Sequence, residues 1–213
     1  MFYYSAVVLI FVIVTGSMSN PTKLSLSEPE RCCLPKQFSL QLTLTTVMTS
    51  PNGTLYISYS NYNFSYDSDR EVAAMKGVVL SMQNYQKSTL WIIEDVKDWQ
   101  TYTIDQDTKK CTKSKTLINA ARCTLGESYA AVYVRSSTLI YGDKKIIVDT
   151  WLIQLEHADS FLTVIRDGLC TPLSGYTFSR NPAMVDSMTM TAFVPQVIDS
   201  TMFDMPEECK NAV

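Results

Sequence analysis

The chain has 213 residues, a formal charge of -3, 46% hydrophobic and 18% charged side chains. That length fits one domain, and the composition is ordinary globular. Neither a basic nucleic-acid footprint nor a strongly acidic tail is present, so nucleic acid is not expected as a partner.

Met1 to Ser19 holds an apolar run, Ala6 to Val14, followed by the small residues Thr15, Gly16, Ser17 and Ser19. This predicts a secretory signal peptide over 1–19, cleaved between Gly16 and Asn20, although no Lys or Arg precedes the run. The run is too short to span a bilayer, which needs about 20 apolar residues. No later run is long enough, so a secreted, extracellular chain with no transmembrane segment in its mature form is expected. Residues 20–31 read as a lead-in and 32–213 as one β domain.

The six cysteines, Cys32, Cys33, Cys111, Cys123, Cys170 and Cys209, all follow the leader. An even number in a secreted chain predicts three disulfides, in any of 15 connectivities. A bond between adjacent Cys32 and Cys33 would strain the peptide between them. A zinc site is the competing reading, but there is no CxxC pair and the single histidine, His157, stands alone.

Strands begin after Pro35. Phe38, Leu40, Leu42 and Leu44 alternate with Ser39, Gln41, Thr43 and Thr45, the period of two of a half-buried strand. Ser50-Pro51-Asn52-Gly53 is a turn. Leu55 to Tyr66 follows with aromatics at many alternate places, then a turn at Asp67 to Arg70 and a strand over Glu71 to Ser81. Asn52-Gly53-Thr54 and Asn63-Phe64-Ser65 are N-glycosylation sequons, which marks Asn52 and Asn63. Leu90 to Glu94 is a short strand. Trp99 to Asp105 puts Tyr102 and Ile104 on one face and Thr101, Thr103 and Asp105 on the other. Cys111 enters the next strand. Ala130–Val134, Thr138–Tyr141, Lys145–Leu155 and Ser160–Ile165 give four more, with a hairpin turn at Gly142-Asp143. Pro172 and Gly175 predict entry to a polar loop reaching Pro182, and Met184 to Val197 a strand or broken helix. Helices are expected only near 117–128 and 183–192. About ten strands with turns every 8–12 residues predict an all-β antiparallel fold.

The sequence shows no catalytic constellation: no GxSxG elbow, no HExxH and no P-loop. The acidic stretches at Asp67 and Asp105 begin like calcium loops, but their sixth positions are Val72 and Lys110 where Gly is needed. A non-enzymatic protein that requires no cofactor is expected.

Four blocks resemble the ependymin-related family of secreted glycoproteins: Cys32 to Phe38, Tyr66-Asp67, Tyr102 to Lys113 and Ile198 to Cys209. The resemblance implies a mainly β fold, with curved antiparallel sheets forming a half-barrel or two-layer sandwich around an apolar pocket. It also implies one or two short helices and a likeness to bacterial lipoprotein carriers. Further implications are N-glycans, a homodimer and a calcium ion. Carried over by cysteine, it pairs Cys32 with Cys170 and Cys111 with Cys209, leaving Cys33 with Cys123.

The function expected is binding of a lipid or other hydrophobic small molecule in a sheet-enclosed pocket bordered by Phe38, Leu40, Leu42, Tyr102, Ile104, Trp151 and Ile153. The alternative is a calcium-dependent glycoprotein that binds extracellular matrix components.

Overall fold

Alternating apolar and polar residues put these segments into strands, and their pairing builds one sheet. The computed structural model describes residues 28–50, 52–115, 131–154 and 158–210. Its strands are β1 (Gln37–Thr49), β2 (Leu55–Asp67), β3 (Val72–Ser81), β4 (Lys87–Asp95), β5 (Gln100–Asp105) and β6 (Lys110–Lys115). After these come β7 (Ala131–Tyr141), β8 (Lys144–Gln154), β9 (Ala158–Ile165), β10 (Pro172–Arg180) and β11 (Ala183–Val194). All pair antiparallel in the order β6-β5-β4-β3-β2-β1-β11-β10-β9-β8-β7. The two meanders meet where β1 pairs with β11, Leu42 opposite Met190. The result is a curved, open half-barrel rather than two layers.

Three expectations are corrected. The stretch from Pro172 to Arg180 is a strand, not a polar loop. Residues 183–192 are β11, not a helix, because β1 and β10 both pair with them. Residues 131–141 form one strand, with a bulge between Tyr133 and Arg135. The two helices described are short 3-10 turns, Ser200–Phe203 and Glu207–Cys209. The leader, the expected helix at 117–128, Cys123 and His157 lie outside the described residues.

Register decides which side chains share a face, since directly opposed residues point the same way. Phe38, Leu40, Leu42 and Leu44 of β1 share a face with Tyr66, Phe64, Tyr62 and Ser60 of β2. On β8 and β9 the same face holds Trp151, Ile153 and Leu162, reached through Met188 and Gly175. Leu34 packs both against the Phe38–Leu40–Tyr66 cluster and against the Trp151–Val164–Cys170 cluster. Two strands, β11 and β10, separate these clusters in the sheet. At about 4.8 Å per strand, one leucine reaches both only if this face curls inward. It is therefore the concave face.

The convex face is covered at the β3–β6 end by the C-terminal segment. Met202, Phe203 and Cys209 pack on Val72, Ala74, Ile93 and Ile104. Trp91 Nε1 donates to the Met202 carbonyl at 2.9 Å, and the backbone N–H of Ile198 donates to Ser39 Oγ at 3.0 Å. The Cys111–Cys209 disulfide ties this segment down. Cys32–Cys170 holds the N-terminal lead-in over the opposite wing. A crosslink that closes a long loop typically contributes about 2–4 kcal/mol, so both terminal segments are pinned with energies comparable to a domain's net stability. Cys33 is also disulfide-bonded.

Candidate ligand site

The concave face carries a row of side chains that crosses eight strands. Val79, Ser60, Leu44, Met188, Gly175, Leu162, Trp151 and Tyr133 follow one another in register from β3 to β7. A second row runs Gly77, Tyr62, Leu42, Met190, and a third Ile92, Met75, Phe64, Leu40. Leu42, Leu44, Phe64, Met75, Val79, Ile92, Met188, Met190 and Leu162 are only half-buried. Both described helices sit on the other face. These side chains thus form an apolar surface inside the curve. The methionines suit such a surface, because an unbranched thioether chain re-packs easily around different shapes.

One end of the concavity is filled. Phe38 is 5% exposed and its ring lies 5.4 Å from Tyr66, 5.6 Å from Phe193 and 5.8 Å from Phe64. Leu34 closes the space between this aromatic cluster and Trp151. Beside Trp151 lies a cavity of about 280 Å³, lined by Arg31, Cys32, Asp149, Trp151, Val164 and Arg166 among others. Arg31 stands over the Trp151 ring, 5.5 Å from its centroid, and donates to the Ala131 carbonyl at 2.9 Å. The buried Trp151 Nε1 has no acceptor among the described residues.

On this face burial raises the pKa of two groups. Burial pushes the Glu94 carboxyl up; Glu94 lies in register with Ala73 and Tyr66. Burial also pushes the Tyr62 phenol up, partly offset by a hydrogen bond with Ser60. At the cavity, hydrogen bonds from Arg166 hold the Asp149 carboxyl below its ordinary range.

Of the seven residues expected to border a pocket, five lie on the concave face: Phe38, Leu40, Leu42, Trp151 and Ile153. Tyr102 and Ile104 lie on the convex face, in register with Ile93 and Trp91, under the C-terminal segment. Ile104 is fully buried there. Leu44, Met188, Met190 and Leu162, at the open part of the concavity, are not among those seven. Their signal was the simple alternation of β1 extended by two residues, and the spacing of methionines in β11.

The acidic turns have structural work. Asp67 Oδ1 accepts from the backbone N–H of Asp69 and Arg70, and Asp105 Oδ1 from those of Asp107 and Thr108. Among the described residues no three His, Cys, Asp or Glu side chains converge. Asn52 sits exposed at the β1–β2 turn, and Asn63 is exposed on the convex face.

No protein-family model and no curated protein matches the chain. Solved structures of similar course include an uncharacterized conserved protein from Thermus thermophilus, at 8% identity and TM-score 0.47, covering 82% of this chain and 89% of that one. A LolA-superfamily protein from Nitrosomonas europaea has 9% identity and TM-score 0.34, covering 80% and 91%. A putative outer membrane lipoprotein-sorting protein domain from Vibrio parahaemolyticus has 5% identity and TM-score 0.33, covering 78% and 89%.

Proposed function

We propose that this chain is a secreted, non-enzymatic carrier that holds an extended apolar ligand, a lipid or similar molecule, along the concave face. The observation that carries this reading is the half-buried apolar surface around Leu42, Leu44, Met188, Met190 and Leu162, inside a curve whose outer face is the one the C-terminal segment covers. A 16-carbon chain buried there would gain roughly 12 kcal/mol at about 0.8 kcal/mol per methylene. Association costs on the order of 4–15 kcal/mol, so micromolar affinity follows when that cost lies at the low end, about 4 kcal/mol. Such a surface selects for length and shape more than for polar detail.

The resemblance to ependymin-related glycoproteins supports a secreted setting, and two of the pairings it implies, Cys32–Cys170 and Cys111–Cys209, are present. In that setting Asn52 and Asn63, both exposed, would carry glycans, and the chain would form a homodimer. The test is native and denaturing mass spectrometry of the secreted protein with its disulfides intact. The expected result is an extra mass of a lipid-like molecule in the native spectrum that is lost on denaturation. A bare glycosylated chain that also fails to take up an added fatty acid would end this reading.

A further inference from the structure

The hairpin of β7 and β8 runs beyond the rest of the sheet. The last pair between β8 and β9 is Val148 with Ile165, and past it only the backbone N–H of Arg166 reaches the Ile147 carbonyl. Leu139–Ile146, Ile140–Lys145 and Tyr141–Lys144 then pair with each other alone, and Gly142 takes a positive φ in the turn. β7 is the sheet's edge, so among the described residues no strand flanks the ribbon on its other side. At its tip Ile140 is 70% exposed and Tyr141 83%, with Leu139 and Ile147 exposed behind them. A lone two-stranded ribbon is marginal in water, and this one presents large apolar side chains to it.

Its base is locked in place. Buried Asp149 accepts from Arg166 Nε at 2.8 Å and from Ser136 Oγ at 2.6 Å, and Ser136 is its cross-strand partner. Tyr133 and Arg166 also bond Ser136. The ribbon thus leaves the sheet from an anchored base.

Charge and register indicate the partner. The part of the ribbon beyond Val148 carries Lys144 and Lys145 against one carboxylate, Asp143, in a chain whose total charge is -3. Lys145 faces Ile140 across the strands and Lys144 faces Tyr141, and these two pairs lie on opposite faces of the ribbon. Each face therefore pairs an apolar group with a cation. A bilayer headgroup layer surrounds an inserted tip on all sides, accepts tyrosine at its boundary and lets lysines reach phosphates.

We propose that the Leu139–Ile147 tip docks this protein on an anionic membrane surface, with Ile140 and Tyr141 in the headgroup layer and Lys144 and Lys145 on lipid phosphates. This stands independently of any ligand on the concave face. The test is flotation of the full chain, disulfides intact, with vesicles of phosphatidylcholine alone and with added phosphatidylserine, at low and high salt. Wild type is expected to float with the anionic vesicles at low salt. Ile140→Ser/Tyr141→Ser should weaken binding at least about tenfold. Lys144→Gln/Lys145→Gln should weaken it about 30-fold on anionic vesicles, at roughly the strength of one surface lysine each. Both variants alter exposed side chains, and apolar-probe uptake on the concave face should be unchanged, which separates this result from failure of the carrier reading. The proposal is overturned if wild type floats with neither vesicle or if both variants float as wild type does. It is also overturned if the only effect of the substitutions is to turn a dimer into a monomer, which would assign the tip to a second copy.

Discussion

Placing an aspartate at position 44 should separate ligand binding from folding. Leu44 sits in the middle of the longest concave row, half-buried, between Ser60 and Met188. A carboxylate there keeps its hydration, so an apolar ligand must withdraw from about one strand's width of surface. One strand spacing is about 4.8 Å, the reach of about four methylenes, and at about 0.8 kcal/mol each the loss is about 3 kcal/mol, or about 200-fold in Kd. Folding should suffer less, because the site already borders solvent. The control is Ile104→Ala. Ile104 is fully buried on the convex face against Ile93, Met202 and Phe203, so truncation should cost about 2–5 kcal/mol of stability and leave Kd unchanged. Titration with a fluorescent fatty acid reads binding, and urea unfolding reads stability. If Leu44→Asp binds within a few-fold of wild type, or if Ile104→Ala loses binding while still folded, the concave face is not the site.

Three other outcomes follow from named contacts. Replacing Cys111 and Cys209 by serine releases a crosslink spanning 98 residues and should cost about 2–4 kcal/mol, seen as a lower urea midpoint and new dye binding where Ile93 and Ile104 become exposed. Glu94→Gln should be more stable than wild type at neutral pH. Burial raises the folded carboxyl's pKa, so the folded state holds the proton more tightly; that advantage is complete below the unfolded carboxylate pKa and is lost as pH rises through the folded value. Urea midpoints of the two proteins should therefore converge on acidification, and a gap that does not change with pH would refute the assignment. Gly77→Ala should destabilise by more than about 3 kcal/mol, beyond ordinary overpacking, because its Cβ would run into the Asn61 carbonyl oxygen and fall 2.7 Å from Tyr62 Cα. Thermal melting checks it, and a small loss would mean that β2 and β3 can separate locally.

Much of the strand pattern is legible in the residues themselves. β1, β2 and β5 show plain alternation, and each lies where that alternation predicts it. β10 was not legible, because Pro172, Gly175 and several Ser and Thr residues have turn chemistry. It is nonetheless an interior strand: Pro172 stands at its start, and Gly175 fits where the Phe161 carbonyl oxygen comes within 3.0 Å of a would-be Cβ. The methionine-rich stretch after Met184 suits a helix or a strand equally, and the partners on both sides decided it.

By itself the sequence determined the β class, the alternating faces of individual strands and an even set of cysteines, because each is a local property of the chain. It could not determine which strand faces lie together. Tyr102 and Ile104 alternate as cleanly as Leu40 and Leu42, yet register through the turns at 68–71, 82–86 and 96–99 aligns Tyr102 with Ser65 and Ser39, and Ile104 with Asn63 and Gln41, instead. Only the folded sheet, with the C-terminal segment bound across one face and Leu34 bridging the other, decided that the first pair lies under the C-terminal segment and the second on the concave face, with Leu40 buried and Leu42 half-buried.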